Sequence, residues 1–144
     1  MEEKFKFLEH TADKKFQAFG NTLIECFSNS AYAIKSIISA QDISPIIKKE
    51  IRIKGPDLCN LMMSFLEEFL VLIDTENFIL SKIDFIEISS KGGQQRKSYE
   101  LFAVILGDDI KNYSTNGDIK AVTYSEMFVK EINNVWTSQV IVDV

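Results

Sequence analysis

The sequence contains few of the residues that carry most enzyme chemistry and most metal binding. Its 144 residues include a single histidine, His10, and two cysteines, Cys26 and Cys59. One histidine excludes zinc sites made from two or three histidines, and with two cysteines it is still one ligand short of a structural zinc site. A Ser-His-Asp catalytic group could be built only around His10. We therefore expect a protein that is not an enzyme and that holds no organic cofactor.

Positive charge and long apolar runs are also scarce. The 16 lysines and arginines are outnumbered by 21 aspartates and glutamates, which gives a formal net charge of −5. Because nucleic-acid-binding surfaces are usually basic, we expect no direct binding of nucleic acid. No apolar run approaches the roughly 20 residues that span a bilayer, and residues 1–10 contain no apolar signal-peptide core. These absences predict a cytoplasmic protein without a membrane partner, whose two cysteines are reduced and buried.

The chain length predicts a single domain over residues 1–144, and the hydrophobic pattern predicts two helices. Apolar residues recur at helical spacing from Leu23 to Ile38, after a capping residue that is either Asn21 or Thr22. A wider apolar stripe follows Asp57, made of Leu58, Leu61, Met62, Phe65, Leu66, Phe69, Leu70 and Ile73. Strands surround these helices without repeated strand–helix alternation. The sequence therefore predicts an α+β fold, with mixed or antiparallel sheets packed on two helices.

The apolar pattern predicts eight short strands, of which Tyr99–Leu106 is apolar on both faces and therefore central. They are Phe5–Phe7, Phe16–Ala18, Ile51–Ile53, Ile79–Ile88, Tyr99–Leu106, Ala121–Tyr124, Phe128–Val129 and Val135–Val144. The apolar phase slips at Phe85-Ile86, which predicts a β-bulge. Residues 108–117 read as a polar loop, and Asn133-Asn134 as a turn. In the last strand, the alternation predicts Trp136, Val140, Val142 and Val144 in the core and Asp143 on the opposite face.

Two places in the chain concentrate chemical groups. Glu9–Asp13 lies between two predicted strands and brings an imidazole, a hydroxyl and a carboxylate within five residues. Asp143 and the α-carboxylate of Val144 form the second place. If the fold brings Asp13 to them, the oxygen-rich site would favour Mg²⁺, Ca²⁺ or Mn²⁺ over zinc. The alternative is that Glu9–Asp13 is only a turn whose side chains satisfy local N–H groups.

Four stretches together resemble the archease family. They are FLEHTAD near the start, LVLIDTENFILSK in the middle, KAVTYSEM late in the chain and the final VDV. The match covers nearly the whole chain in order. Many members have histidine after the TY of the third stretch, where this sequence has Ser125, and another histidine in the preceding loop, which this sequence lacks.

The resemblance implies a non-enzymatic activator of a tRNA-splicing RNA ligase of the RtcB type. Such proteins promote guanylylation of the ligase by GTP and support its multiple turnover. The ligase joins RNA ends that carry a 2′,3′-cyclic phosphate or a 3′-phosphate to a 5′-hydroxyl. The resemblance also implies a divalent-cation site at Asp13, Asp143 and Val144, with a functional lysine at Lys120; His10 lies within the family signature.

Two other functions are compatible with the residues alone. The first is a metal-independent adaptor or chaperone-like protein, in which the Glu9–Asp13 segment is a simple turn. The second is a phosphoester hydrolase that uses His10 as a base with Asp13 or Asp143. The absence of a recognisable nucleophile motif counts against the hydrolase.

Overall fold

The computed structural model describes residues 3–10, 12–93 and 96–144. These residues form two compact units. The first, which we call the terminal unit, takes its residues from 1–40 and 115–144, and the second, the central unit, spans 41–114. Each unit has its own sheet, and every strand pair described is antiparallel. Two α-helices and two antiparallel sheets confirm the predicted α+β class, whereas the single domain stays a prediction.

The terminal unit contains four strands and one helix. In chain order these are β1 (Phe5–Leu8), β2 (Lys14–Gly20), α1 (Leu23–Ile38), β6 (Ala121–Ile132) and β7 (Val135–Asp143), and the sheet order is β1-β2-β7-β6. Helix α1 packs against β1, β2 and β7. Of the two predicted caps, Thr22 is the one that caps this helix, because its hydroxyl accepts a hydrogen bond from the Glu25 N–H at 3.2 Å.

The central unit contains three strands and the second helix. These are β3 (Ile47–Gly55), α2 (Leu58–Glu76), β4 (Phe78–Lys91) and β5 (Ser98–Asp109), with sheet order β3-β5-β4. Helix α2 packs against this sheet, and the Asp57 side chain caps it by accepting from the Asn60 N–H at 2.8 Å. The central residues of the predicted apolar stripe are buried, whereas its members Leu58, Leu70 and Ile73 are half-buried. The buried face of α2 also includes Met63 and Leu72.

Several predicted boundaries are wrong in instructive ways. The predicted loop over residues 108–117 begins too early, because β5 runs to Asp109 and a 3₁₀-helix, Ile110–Asn112, follows. The predicted strands at 121–124 and 128–129 are one strand, β6, interrupted by a pairing irregularity between Thr123 and Phe128. The bulge predicted at Phe85-Ile86 is present slightly earlier in β4, between Ile83 and Phe85, and a second, unpredicted one lies between Leu80 and Lys82.

Strand β7 does not follow the predicted alternation of core and surface. Residues 137–142 are all buried, whereas Trp136 is only half-buried and Val144 is 37% exposed. Strand β7 lies between β2 and β6, which cover both its edges except near its ends, and α1 packs against it. Burial of residues of both parities over 137–142 is typical of such a central strand. Asp143 is exposed, and the strand therefore presents this carboxylate at the point where burial ends.

Candidate functional site

The structure brings the two chemical segments of the sequence to one end of the terminal unit's sheet. Strands β2 and β7 pair in register from Gly20 with Trp136 to Lys14 with Val142. Continued by one residue, this register places Asp13 opposite Asp143. Asp13 lies in the bend immediately before β2, so Asp13 and Asp143, which are 130 positions apart in the sequence, lie at the same end of this strand pair.

Lys120 joins this end of the sheet from the other side of β7. Its backbone N–H donates to the Asp143 carbonyl at 2.7 Å, immediately before β6 begins to pair with β7 at Ala121 and Asp143. Lys120 itself is exposed. The lysine that the family resemblance singled out is therefore held beside Asp143 by its main chain.

Val144 lines a cavity of about 400 Å³ within the terminal unit. The other lining residues come from β1, β2, α1 and the segment before β6: Phe7, Lys14, Ser36, Ile37, Asn116, Gly117 and Asp118. Asp118 adds a further carboxylate near this end of the sheet, and Lys14 adds an ammonium group. Of the residues predicted for the site, Val144 is the one that borders this open space.

His10 lies between two carboxylates. Its Nδ1 is 3.8 Å from Asp13 Oδ2, and its Nε2 is 3.4 Å from Glu126 Oε2. Glu126 Oε1 also accepts a hydrogen bond from Lys15 Nζ at 2.9 Å. The Lys15 ammonium, followed by His10, holds the pKa of the Glu126 carboxyl below its usual range. We call His10, Asp13, Lys15 and Glu126 the polar chain.

The polar chain includes two residues that sequence reasoning missed, Lys15 and Glu126. Lys15 looks like an ordinary polar position of a strand. Glu126 lies in the gap that separated two predicted strands, and this break in alternation was the only available signal. The distance from His10 to Asp13 is also informative, because 3.8 Å is too long for a hydrogen bond that would orient the imidazole as a hydrolase base.

The donor set fits a hard cation but does not form a complete cage of side chains. Among residues 3–10, 12–93 and 96–144, no three His, Cys, Asp or Glu side chains are arranged to hold a metal ion. The carboxylates of Asp13 and Asp143 and a main-chain oxygen of Val144 are ligands of the kind that Mg²⁺, Ca²⁺ and Mn²⁺ prefer. Mg²⁺ in particular commonly keeps several waters when it is bound by one or two carboxylates.

The two cysteines lie on different helices and have different environments. Cys26 on α1 is fully buried, and burial raises the pKa of its thiol to about 11. Cys59 on α2 is only half-buried, so the prediction that both thiols are buried is wrong for this residue. It occupies the first turn of α2, beside the helix N-terminus, where the core-facing stripe has just begun. Neither cysteine forms a disulfide bond.

Comparison with known proteins gives a consistent result over almost the whole chain. Residues 5–144 match the model of the archease protein family (MTH1598/TM1083). Protein archease of Methanosarcina barkeri is 34% identical over 99% of this chain and 97% of its own length. Protein archease of Pyrobaculum islandicum is 36% identical over 97% of this chain and 95% of its own length.

Two solved structures share the fold. The solution structure of protein 1598 from Methanobacterium thermoautotrophicum has a TM-score of 0.76 and 26% identity, and the match covers 98% of this chain and 99% of that one. The crystal structure of an archease, possible chaperone, from Thermotoga maritima has a TM-score of 0.58 and 18% identity, with 96% of each chain covered. At this identity the second structure supports the fold alone. Among the described residues, neither helix is long and apolar enough to cross a membrane.

Proposed function

The chain belongs to the archease family, and we propose that it activates an RNA ligase of the RtcB type. In this proposal the chain is not itself an enzyme. It promotes transfer of GMP from GTP to the ligase and lets each ligase molecule act repeatedly in tRNA splicing or RNA repair, in the cytoplasm. The observation that carries the proposal is the meeting of Asp13, Lys120 and Asp143 at one end of a sheet.

Asp13, Asp143 and Val144 are the residues that would hold a divalent cation. Asp13, just before β2, and Asp143, near the end of β7, lie at the same end of the sheet, and two carboxylates brought together there are costly unless a cation or a proton lies between them. A bound Mg²⁺, Ca²⁺ or Mn²⁺ would supply positive charge toward phosphate oxygens of a nucleotide held by the ligase. The carboxylates of Asp13 and Asp143 then act as the fixed anchor that presents this charge at the protein surface.

The charge of the chain suits such a partner. A protein that holds RNA and GTP presents basic surfaces, and a chain with net charge −5 is attracted to them. The same charge disfavours direct contact with the RNA backbone. Lys120 is an exposed cation beside Asp143, where it can reach a phosphate oxygen that approaches the same end of the sheet. The partner is therefore the ligase, with no membrane and no nucleic acid bound by the chain itself.

The experiment is a multiple-turnover RNA-joining assay, with RNA ends in large molar excess over the cognate ligase. We expect the wild-type chain to convert a single round of joining into many rounds. Asp13→Ala is expected to abolish this effect while leaving the circular dichroism spectrum and the melting temperature close to those of the wild type. Asp74→Ala is a matched control, because Asp74 is an exposed aspartate on α2 of the central unit.

The outcomes separate the three functions. Full stimulation by Asp13→Ala would contradict the cation site, and no stimulation by the wild type would contradict the activator role. Stimulation without any dependence on divalent cations would favour a metal-independent adaptor or chaperone-like protein. Hydrolysis of a phosphoester by the chain alone, lost in His10→Ala, would establish the hydrolase instead.

A further inference from the structure

Glu126 has a backbone conformation that glutamate rarely adopts. Its φ is 55°, in the left-handed region, and it lies where the pairing of β6 with β7 is interrupted between Thr123 and Phe128. The other non-glycine residues with positive φ in the described part of the chain are all asparagines. Asparagine tolerates this region far better than glutamate does. A glutamate here costs conformational free energy, so its side chain is the feature that needs a function.

The main chain at Glu126 is anchored independently of its side chain. Its carbonyl accepts from Gln139 Nε2 at 2.8 Å, and Gln139 Oε1 in turn accepts from Gln17 Nε2 at 2.9 Å. These bonds tie β6 to β7 and β2 and would be made equally well with glycine at position 126. The local fold therefore does not require the carboxylate.

The carboxylate instead contacts two cations or potential cations next to Asp13. One oxygen bonds Lys15 Nζ at 2.9 Å and the other lies 3.4 Å from His10 Nε2. Asp13 and Lys15 are two residues apart, so along an extended chain their side chains leave on the same side. Without Glu126, the Lys15 ammonium would be left beside the Asp13 carboxylate. An ion pair between them would compete directly with a divalent cation.

We propose that Glu126 is a positioning residue that keeps the Lys15 ammonium away from the ligand oxygens of Asp13 and so maintains the affinity of the cation site. The inference rests on the proposed function, because it assumes that Asp13 binds a cation. It adds two residues, Lys15 and Glu126, that touch no cation themselves. Groups that orient metal ligands typically change affinity by about 10–100-fold when they are removed.

Glu126→Gly separates this role from a structural one. Glycine fits the left-handed backbone, so the cation-free variant should be at least as stable as the wild type. Its affinity for Ca²⁺ or Mn²⁺, measured by calorimetry, should nevertheless fall by about tenfold or more. Adding Lys15→Gln to Glu126→Gly should restore most of the lost affinity, because the competing ammonium is then gone. Glu50→Gly on β3 of the central unit is a control for removal of an exposed strand glutamate.

A second readout needs no cation. His10 is the only histidine, so in tag-free protein its imidazole Cε1–H proton gives one identifiable NMR signal. At a fixed pH in chelator, this signal should shift in Glu126→Gly and in Glu126→Gln, and it should not shift in the control.

Each result decides between the proposals. Wild-type affinity in Glu126→Gly, or an unchanged His10 signal, overturns the role of Glu126 while leaving the cation site in place. Loss of affinity that the Lys15→Gln addition does not restore overturns the competition between Lys15 and the cation. A parallel loss of stability and affinity in Glu126→Gly shows a structural role. Failure of the wild type to bind Ca²⁺ or Mn²⁺ overturns the cation site and the positioning role together.

Discussion

Replacing Asp143 with asparagine should change the stability of the chain in opposite directions with and without a divalent cation. The pairing of β2 with β7 ends at Lys14 and Val142, and continuing this register by one residue would place Asp13 opposite Asp143. Like charges at directly opposed positions of an antiparallel pair destabilise it by an amount on the order of 0.2–1 kcal/mol. Asp143→Asn removes one of the two charges and keeps the size of the side chain. In chelator, the variant should therefore unfold with a free energy higher by about that amount.

An excess of divalent cation should reverse the order of stability of the wild type and Asp143→Asn. A ligand at 100 times its dissociation constant stabilises the folded state by about 2.7 kcal/mol. If Asp143→Asn binds the cation about 100-fold more weakly, the same cation concentration stabilises the variant by only about 0.4 kcal/mol. The wild type should then be the more stable protein by about 1–2 kcal/mol.

The assay is urea unfolding followed by circular dichroism, in chelator and in excess Ca²⁺ or Mn²⁺, with Asp74→Asn as the control. An equal stabilising effect of the cation on the wild type and on Asp143→Asn would show that Asp143 does not bind the cation. A loss of stability in Asp143→Asn in chelator would show that the two carboxylates do not repel each other.

Three further predictions concern parts of the fold away from the site. Leu66 is fully buried on α2, so Leu66→Ala should lower the free energy of unfolding by about 2–5 kcal/mol in urea titrations; a change below that range would show that α2 is not the core of its unit. Thiol titration of the native protein should label Cys59 first, while Cys26 reacts only after unfolding because its pKa is raised to about 11; Cys59→Ser should remove the early signal, and its persistence would contradict the assignment. The Tyr113 hydroxyl donates to Asp108 at 2.6 Å and is the main reason that the pKa of Asp108 lies below its ordinary value of 3.8. The ionised Asp108 carboxylate therefore contributes its full stabilisation above pH 3.8, and this contribution is lost as the pH falls through the lowered pKa. Tyr113→Phe should weaken the acid dependence of the melting temperature seen in the wild type. An unchanged acid dependence would contradict this role of Tyr113.

Periodicity predicted the helices well because it reports directly on one-sided burial. The stripe of α2 is a pattern of period 3.6, and the helix packs one face on a sheet. The capping side chains of Thr22 and Asp57 act only on neighbouring residues, so they were also readable from the sequence. The same logic failed for β7. Residues 137–142 of that strand are buried on both faces, and alternation carries no information about a strand with two covered faces.

The site required information that no local pattern contains. Asp13 and Asp143 lie at the same end of the sheet only because β2 and β7 pair in one particular register. The sequence identified these residues through their chemistry and through the family resemblance, not through proximity. The sequence did not identify Glu126 as part of the site for another reason. Its left-handed backbone and its contacts with Lys15 and His10 arise where β6 loses register, and the position of such an irregularity depends on the neighbouring strand.

The most direct test of the central claim is formation of the ligase–GMP adduct from radiolabelled GTP at limiting nucleotide. The purified cognate ligase is assayed alone, with the wild-type chain, with Asp13→Ala and with Asp74→Ala. If the chain activates the ligase through Asp13, the ligase–GMP adduct forms faster with the wild type and with Asp74→Ala than with the ligase alone. With Asp13→Ala, the rate equals that of the ligase alone. Equal adduct formation with and without the wild-type chain would contradict the account.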